Sequence, residues 1–395
     1  MNIQEASITK EKEALIEDFF KPEAKRYIFG INKYGDKLFD EFKNKNLKVE
    51  AFIDDFTPNK IHKNTKIIKL QSIEEGYVVV VVTCNTKEAI EKIKKENVKR
   101  GGKIKFIDYF AFQKHSKLDL VELEFCDNFI NPKPSNFSHF RDDFSKNRNE
   151  YENIYNSLAD EESKKYFENI INFRLTQDYK YMESFHSKLK EQYFEDFLDI
   201  KNIDYFFDIG AYRGETSKEF ISRNRNYKNI YVFEPDSNNI LEARKNLKEY
   251  KNIEFFNIAI GDKKKIMYLK DNKDKTALNL LDSNEDNTTK IQLDSIDNVI
   301  ENIEQKSEME GGGNMILKMD IESAERIAIK GAKNTILNFH PKMAICVYHQ
   351  FDDFYQIPKL ILNIRKDYKI YFRHYSSGIM ESVMFFIPKI EKEKN

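Results

Sequence analysis

The residues best suited to chemistry lie in the second half of the chain. Asp208-Ile209-Gly210-Ala211-Tyr212-Arg213-Gly214-Glu215-Thr216 follows an apolar strand and precedes a helical pattern from Ser217. Glycines at such a junction allow tight turns and close approach of backbone to a ligand. The helix that follows offers free N–H groups and a positive dipole end. A pyrophosphate-binding turn would read GxGxxG. Here an acid stands first and one glycine is missing. That acid would repel pyrophosphate and suits a cationic or amine-bearing ligand, such as the amino group of methionine. Glu234, in Tyr231-Val232-Phe233-Glu234-Pro235, ends the next predicted strand, where an acid commonly accepts the hydroxyls of a ribose. Read blandly, the glycines make an ordinary turn and Asp208 caps a helix. The recurrence of an acid one strand–helix unit later makes the combination more specific than either half.

A third cluster is Lys318-Met319-Asp320-Ile321-Glu322-Ser323-Ala324-Glu325, after a further predicted strand. Ligands in open α/β sheets sit at the carboxyl ends of strands, so Asp320 and Glu322 are placed to face a reacting centre. They can bind an acceptor, act as a base or hold a divalent cation through oxygen ligands. The competing reading is a helix N-terminus, with Asp320 as cap and Glu322 and Glu325 in the first turn. His349 ends the strand predicted over Met343–Tyr348 and can take a proton from a hydroxyl; equally, it can cap the next helix. Arg373 and His374 stand near the end of the chain as weaker candidates for substrate binding.

The elements that position these residues alternate between strand and helix. Strands are predicted at Tyr205–Phe207, Ile230–Phe233, Ile253–Ile258, Met315–Met319 and Met343–Tyr348, with a terminal pair at Lys369–Arg373 and Val383–Ile387. The first part of the chain repeats the alternation. Its strands are Arg26–Phe29, Val49–Ile53, Ile67–Leu70, Tyr77–Val82 and Lys105–Asp108, and its helices Tyr34–Asn44 and Glu88–Lys95. Such alternation implies a parallel, covered sheet. Between them, the two prolines of Asn131–Asn136 mark a loop, and Glu150–Arg174 has helical spacing. The predicted domains are a small Rossmann-like domain (1–115), a helical connector (116–200) and a catalytic domain (201–395). Asn284–Thr289 and Gly311–Gly313 read as loop insertions.

Lys and Arg number 65 against 66 Asp and Glu, a net charge of -1, which argues against a chain-wide grip on nucleic acid or anionic lipid. Cys84, Cys126 and Cys346 form no CxxC pair, so neither a zinc site nor a disulfide framework is indicated, and reduced, buried thiols are expected. The charged N-terminus lacks the apolar run of a signal peptide, and Val78–Val82 is too short to span a bilayer. A cytoplasmic protein without a transmembrane segment is expected, with homo-oligomerisation through the N-terminal or helical region as an open alternative.

Taken in order, FDIGAYRGET (207–216), YVFEPD (231–236), NIAIGD (257–262), LDSID (293–297), ILKMDIESAE (316–325) and HPKMAICVYH (340–349) resemble the FkbM family of methyltransferases, over about residues 203–390. The resemblance implies an α/β class I methyltransferase domain, a doubly wound seven-stranded sheet with a terminal antiparallel pair. It implies S-adenosylmethionine as cofactor and methyl transfer to a hydroxyl oxygen of a sugar or natural product, such as a surface glycan or its nucleotide-linked precursor. By this similarity Asp208, Gly210 and Gly214 line the methionine end, Glu234 holds the ribose, and Ala259 lies near the adenine. Ala211, Tyr212, Thr216, Pro235, Asn257 and Asp320 complete the implied cofactor contacts. Asp320, Glu322 and His349 stay the catalytic candidates by their position at strand ends, and the resemblance does not settle which is the base. The family often has Asn at Tyr212 and Gly at Ser323. IFGINKYGDKLFDEFKNKNLKVEAFIDD (28–55) resembles the small Rossmann-like domain of some bacterial glycan-modifying enzymes. It leaves open a nucleotide-sugar or NAD site there, or a docking domain without a ligand. A non-catalytic scaffold is the remaining alternative.

Overall fold

The computed structural model describes residues 1–5, 7–122, 124–126, 134–270, 279–281, 283–304 and 314–389. The triplet 311–313, the first part of the proline-bearing loop (131–133) and the side chain of Cys126 lie outside them. The chain divides into two compact units. The first comprises 1–123, 168–187 and 375–380; the second comprises 124–167, 188–374 and 381–395. Residues 116–200, expected as one connector, are therefore shared between the units, and the division falls inside a single helix.

The first unit is built on strands β1 (Arg26–Phe29), β2 (Val49–Ile53), β3 (Ile61–His62), β4 (Thr65–Ile68), β5 (Gly76–Val80) and β6 (Ile104–Asp108), in the order β3-β4-β2-β1-β5-β6. All neighbours are parallel except β3 and β4. Continuous apolar runs such as GYVVV suit strands covered on both faces. Helices α1 (Lys10–Phe19), α2 (Lys33–Asn44), α3 (Thr86–Lys99) and α4 (Tyr109–His115) accompany them. Phe29, Ile53, Val78, Val80, Ala89 and Ile93 share one core cluster.

In the second unit come β7 (Glu124–Cys126), β8 (Pro134–Asn136), α5 (Phe137–Ser157) and α6 (Glu161–Thr176). Residues 134–136, expected in a loop, pair as an antiparallel strand with β7. The main sheet then uses β9 (Tyr205–Ile209), β10 (Asn229–Phe233) and β11 (Ile253–Phe256). β12 (Ala259–Ile260), β13 (Lys265–Lys270), β14 (Asn279–Leu281) and β15 (Thr288–Asp294) form a separate four-stranded sheet. The chain returns through β16 (Met315–Met319), β17 (Lys342–Cys346), β18 (Tyr368–His374) and β19 (Ser382–Pro388). The main order is β11-β10-β9-β16-β17-β19-β18. Its strands are parallel as far as β17, and β19 is antiparallel to both β17 and β18. Strand order reverses between β9 and β16, and an open sheet has its crevice at such a point. Asp208, Glu234, Asp320 and His349 all lie at or just past the carboxyl ends of β9, β10, β16 and β17. Helices α7 (Glu215–Arg223), α8 (Ser237–Asn246), α9 (Ile296–Glu304), α10 (Glu325–Lys330), α11 (Lys333–Phe339) and α12 (Asp353–Ile364) complete the unit. No helix among the described residues is long and apolar enough to cross a membrane.

Candidate active site

An ion pair joins the two central strands. Asp208 and Lys318 are register partners on β9 and β16. Lys318 Nζ lies 3.1 Å from Asp208 Oδ1, with side-chain exposures of 2% and 0%. A buried ion costs several kcal/mol unless it is paired and hydrogen-bonded. Ser217 Oγ donates to Asp208 Oδ2 at 2.6 Å, and Lys318 Nζ donates to the Gly210 carbonyl at 2.7 Å. Burial pulls the Lys318 pKa down, but Asp208 and Asp320 outweigh it and leave the amine above its ordinary value. Asp208 is completely buried. The expectation that it touches a ligand's amino group is therefore revised: it holds Lys318 and, through it, the glycine turn. Sequence reasoning missed Lys318. The available signal was a lysine inside the apolar strand Met315–Met319, which requires a buried counter-charge.

The turn depends on glycine. Gly210 has φ +80°, and a Cβ there would stand 1.9 Å from the Asp320 carbonyl oxygen. Gly210 and Ala211 both donate their N–H to the Phe233 carbonyl at 3.0 Å, binding the turn to the end of β10. Ala211 and Gly214 are buried, Thr216 is partly buried, and Tyr212 is 45% exposed with φ +49°.

Glu234 is 3% exposed. Its Oε2 accepts from the Tyr212 N–H at 3.0 Å and its Oε1 from the Asp236 N–H at 2.9 Å. Burial pushes its carboxyl up to about 7, against those two backbone donors, which favour the ionised form. Asn257 does not present its amide to a ligand. Its Nδ2 donates to the carbonyls of Glu234 and Pro235 at 2.9 and 3.0 Å, while its Oδ1 accepts from Ser237 Oγ. It supports the Glu234–Pro235 bend from beneath. Pro235 and Ala259 are buried.

Asp320, Glu322, Glu325 and His349 converge. His349 Nε2 is 3.5 Å from Asp320 Oδ1 and 3.5 Å from Glu322 Oε2, and Nδ1 is 3.0 Å from Glu325 Oε1. Glu325 also accepts from the Ile321 N–H at 2.9 Å. Asp320 accepts from the hydroxyls of Tyr193 at 2.9 Å and Tyr348 at 3.3 Å. Burial raises the Asp320 carboxyl, but Lys318 and His349 outweigh it and hold it below its ordinary range. Burial alone would depress the His349 pKa; Glu325, Glu322 and Asp320 reverse that and hold it well above the usual value. Burial lifts Glu322 to about 7. Glu381, which accepts from Gln192 at 2.7 Å, is lifted to about 7 by burial and by Asp320. Tyr193 and Glu381 were not singled out as site residues; neither has a motif, and each reaches the cluster from a distant segment. Glu322 and Ser323 have φ of +52° and +81°. Ser323 stands where the resembling family often has glycine, and its buried hydroxyl has no hydrogen-bond partner among the described residues.

Other candidates are committed elsewhere. Arg373 pairs with Asp160 at 2.7 Å and Glu162 at 3.2 Å, and His374 Nδ1 lies 2.9 Å from Ser382 Oγ, so both hold structure rather than facing a substrate. In the first unit Asn32 caps α2, accepting from Tyr34 and Gly35 N–H and donating to the Val81 carbonyl. Asp54 accepts from Phe56 and Thr57 N–H, and Asp55 from Leu70 N–H. Past the end of β5, Ser377 Oγ donates to Glu88 at 2.6 Å and accepts from the Lys87 N–H. A Cβ on Gly378 would stand 2.0 Å from the Thr83 carbonyl oxygen. Segment 375–380 thus lies against the start of α3. Cys346 is buried as expected, but Cys84 is exposed, because it falls in the loop after β5 rather than in the strand.

A mostly parallel α/β sheet with a glycine turn and convergent acids at its central strand ends has the layout of a methyltransferase domain. Residues 208–370 match the family model described as Methyltransferase FkbM domain. The crystal structure of methyltransferase FkbM from Methylobacillus flagellatus is similar at a TM-score of 0.66 and 21% identity, over 96% of this chain and 94% of that one. At that identity the likeness establishes a shared fold. Fibrillarin from Aeropyrum pernix, solved with natively bound S-adenosyl-L-methionine, has 13% identity over 50% of this chain and 71% of its own. Its TM-score of 0.30 is too low to bear on the site. No curated protein matches the chain.

Two substitutions test this local geometry. Gly210→Ala is expected to cost at least about 2 kcal/mol, because the new Cβ meets a carbonyl and the backbone is left-handed. Ser323→Gly is expected to raise stability by about 1 kcal/mol, by relieving the left-handed serine and its unpartnered hydroxyl. Thermal and denaturant unfolding would read both; a fall for Ser323→Gly would show that the serine is favourably held.

Proposed function

We propose that the chain is an S-adenosylmethionine-dependent O-methyltransferase acting on a sugar hydroxyl, in a glycan or a nucleotide-linked precursor. The observation that carries this reading is the convergence of the Gly210 turn, Glu234 and the His349 cluster at adjacent strand ends, within the residues matched to a methyltransferase domain. The resemblance to the FkbM family supports the hydroxyl acceptor.

The residues fit the cofactor in two respects. Gly210 leaves backbone where any side chain would collide with Asp320, and Glu234 is an acid held at the end of β10 by two N–H groups. The cofactor, when bound, supplies an electrophilic methyl group on a sulfonium. Glu234 would accept the ribose hydroxyls, the Gly210–Gly214 turn would lie along the methionine portion, and Asp208 with Lys318 would keep that turn in place. Asp320, Glu322 and Glu325 give the reacting region a negative field suited to a cation. The acceptor hydroxyl would enter beside Asp320 and Glu322, the more exposed carboxylates of the cluster, which would receive its proton. Holding both reactants at attack distance in a site shielded from water is the main source of rate.

Glu234 gives a signed pH test. Its raised pKa means that its contribution to folding stability is intact below the ordinary glutamate value and lost as pH rises through about 7. Ribose binding runs the other way, because hydroxyls donate to the ionised form. Titration calorimetry should show S-adenosylmethionine binding about tenfold weaker at pH 6 than at pH 8. Glu234→Gln should weaken binding at pH 8 and abolish the difference. Equal affinity at both pH values, or unchanged affinity in the variant, would overturn the ribose assignment. Transfer of a deuterated methyl group into a panel of sugar nucleotides and glycans, read by mass spectrometry, tests the acceptor class.

A further inference from the structure

We infer that Asp320, Glu325 and His349 form a binding site for a first-row divalent cation. One donor atom from each lies within 4.8 Å of the others. The distance from His349 Nε2 to Asp320 Oδ1, 3.5 Å, suits two ligands of one ion with metal bonds of about 2.1 Å. Proximity of acids alone would mean little. The second observation is that two enclosed atoms of the set lack hydrogen-bond partners among the described residues. His349 is 4% exposed and Glu325 1%. His349 Nδ1 faces Glu325 Oε1 at 3.0 Å, but among the described residues His349 Nε2 and Glu325 Oε2 have no hydrogen bond. Buried polar atoms are ordinarily satisfied, and a site for an ion is one standard reason for an exception.

The surroundings hold these donors as a metal site needs them held. Asp320 is oriented by the hydroxyls of Tyr193 and Tyr348, and Glu325 Oε1 is fixed by the Ile321 N–H, which leaves Oε2 free. Such outer hydrogen bonds set the direction of metal ligands. Charge points the same way. Asp320, Glu322 and Glu325 surround one imidazole, and the nearby Lys318 is already paired with Asp208. Asp320, about a quarter exposed, opens the set to solvent. One imidazole nitrogen with carboxylate oxygens favours Mn²⁺, Fe²⁺ or Zn²⁺ over Mg²⁺ or Ca²⁺, which prefer all-oxygen sets.

The role of the site rests on the methyl-transfer reading, though its existence does not. The ion would hold the acceptor hydroxyl at the end of β16, and Glu322, outside the ligand set, would remain to receive the proton.

The test uses the full chain, treated with a chelator and then titrated with MnCl₂, ZnCl₂ and MgCl₂ by calorimetry, with S-adenosylmethionine affinity measured in parallel. Saturable binding of one Mn²⁺ or Zn²⁺ per chain is expected, with Mg²⁺ weaker. His349→Gln and Asp320→Asn should each weaken it by about tenfold or more. Thermal unfolding identifies the variants that remain folded. No saturable binding by the native chain overturns the inference, as does unchanged binding in a folded His349→Gln or Asp320→Asn protein. Metal binding without cofactor binding would sink the methyl-transfer reading and leave the metal site standing. Cofactor binding without metal binding would do the reverse.

Discussion

The second unit is organised around one buried ion pair, Asp208 with Lys318, on its two central strands. Two charges removed from water are stable only while they keep each other and their hydrogen bonds. That requirement fixes the β9–β16 register, since a slip by one residue would turn each side chain to the other face. Lys318 also holds the Gly210 carbonyl, and Gly210 packs against the Asp320 carbonyl. The glycine turn, the strand end at Glu234 and the acidic cluster are thus set by one polar contact that itself meets no solvent.

Negative charge accumulates around that contact without matching positive charge. Asp320, Glu322, Glu325 and Glu381 gather at the ends of the central strands around the imidazole of His349. Burial opposes ionisation of Glu322 and Glu381, and Asp320 opposes it further. Such a field is poorly suited to an anion and well suited to a positively charged ligand. The left-handed backbone at Glu322 and Ser323 is strain located at the same place.

The α/β class and the strand–helix alternation were legible because apolar runs ended in glycine or acid, as at Phe29-Gly30 and Phe233-Glu234. The small sheet of β12 to β15 was not. KIMYLK and TTKIQLD are half-exposed strands with lysines and threonines among their apolar positions, and they resemble loop sequence in a charged chain. In the candidate site, position along the chain located Asp320, Glu322 and His349, since strand ends can be read from hydrophobic patterning. Which way a side chain turns cannot be read so directly. Asp208 faces inward to Lys318, Asn257 turns to the carbonyls of Glu234 and Pro235, and Arg373 is taken by Asp160. Each reversal depends on a partner far away in sequence.

Segment 375–380 has an implication for how the polypeptide is made. Ser377 donates to Glu88 across 289 positions, and its carbonyl accepts from Tyr179. During synthesis the sheet of the first unit is made well before the residues that finish the start of α3, which follow β18. Completion of that unit waits on segment 375–380, and long-range closure of this kind slows folding. A shortened polypeptide beginning at Lys188 would carry Ser377 without Lys87, Glu88 and Tyr179, the groups it binds, so a cut there strips segment 375–380 of its partners.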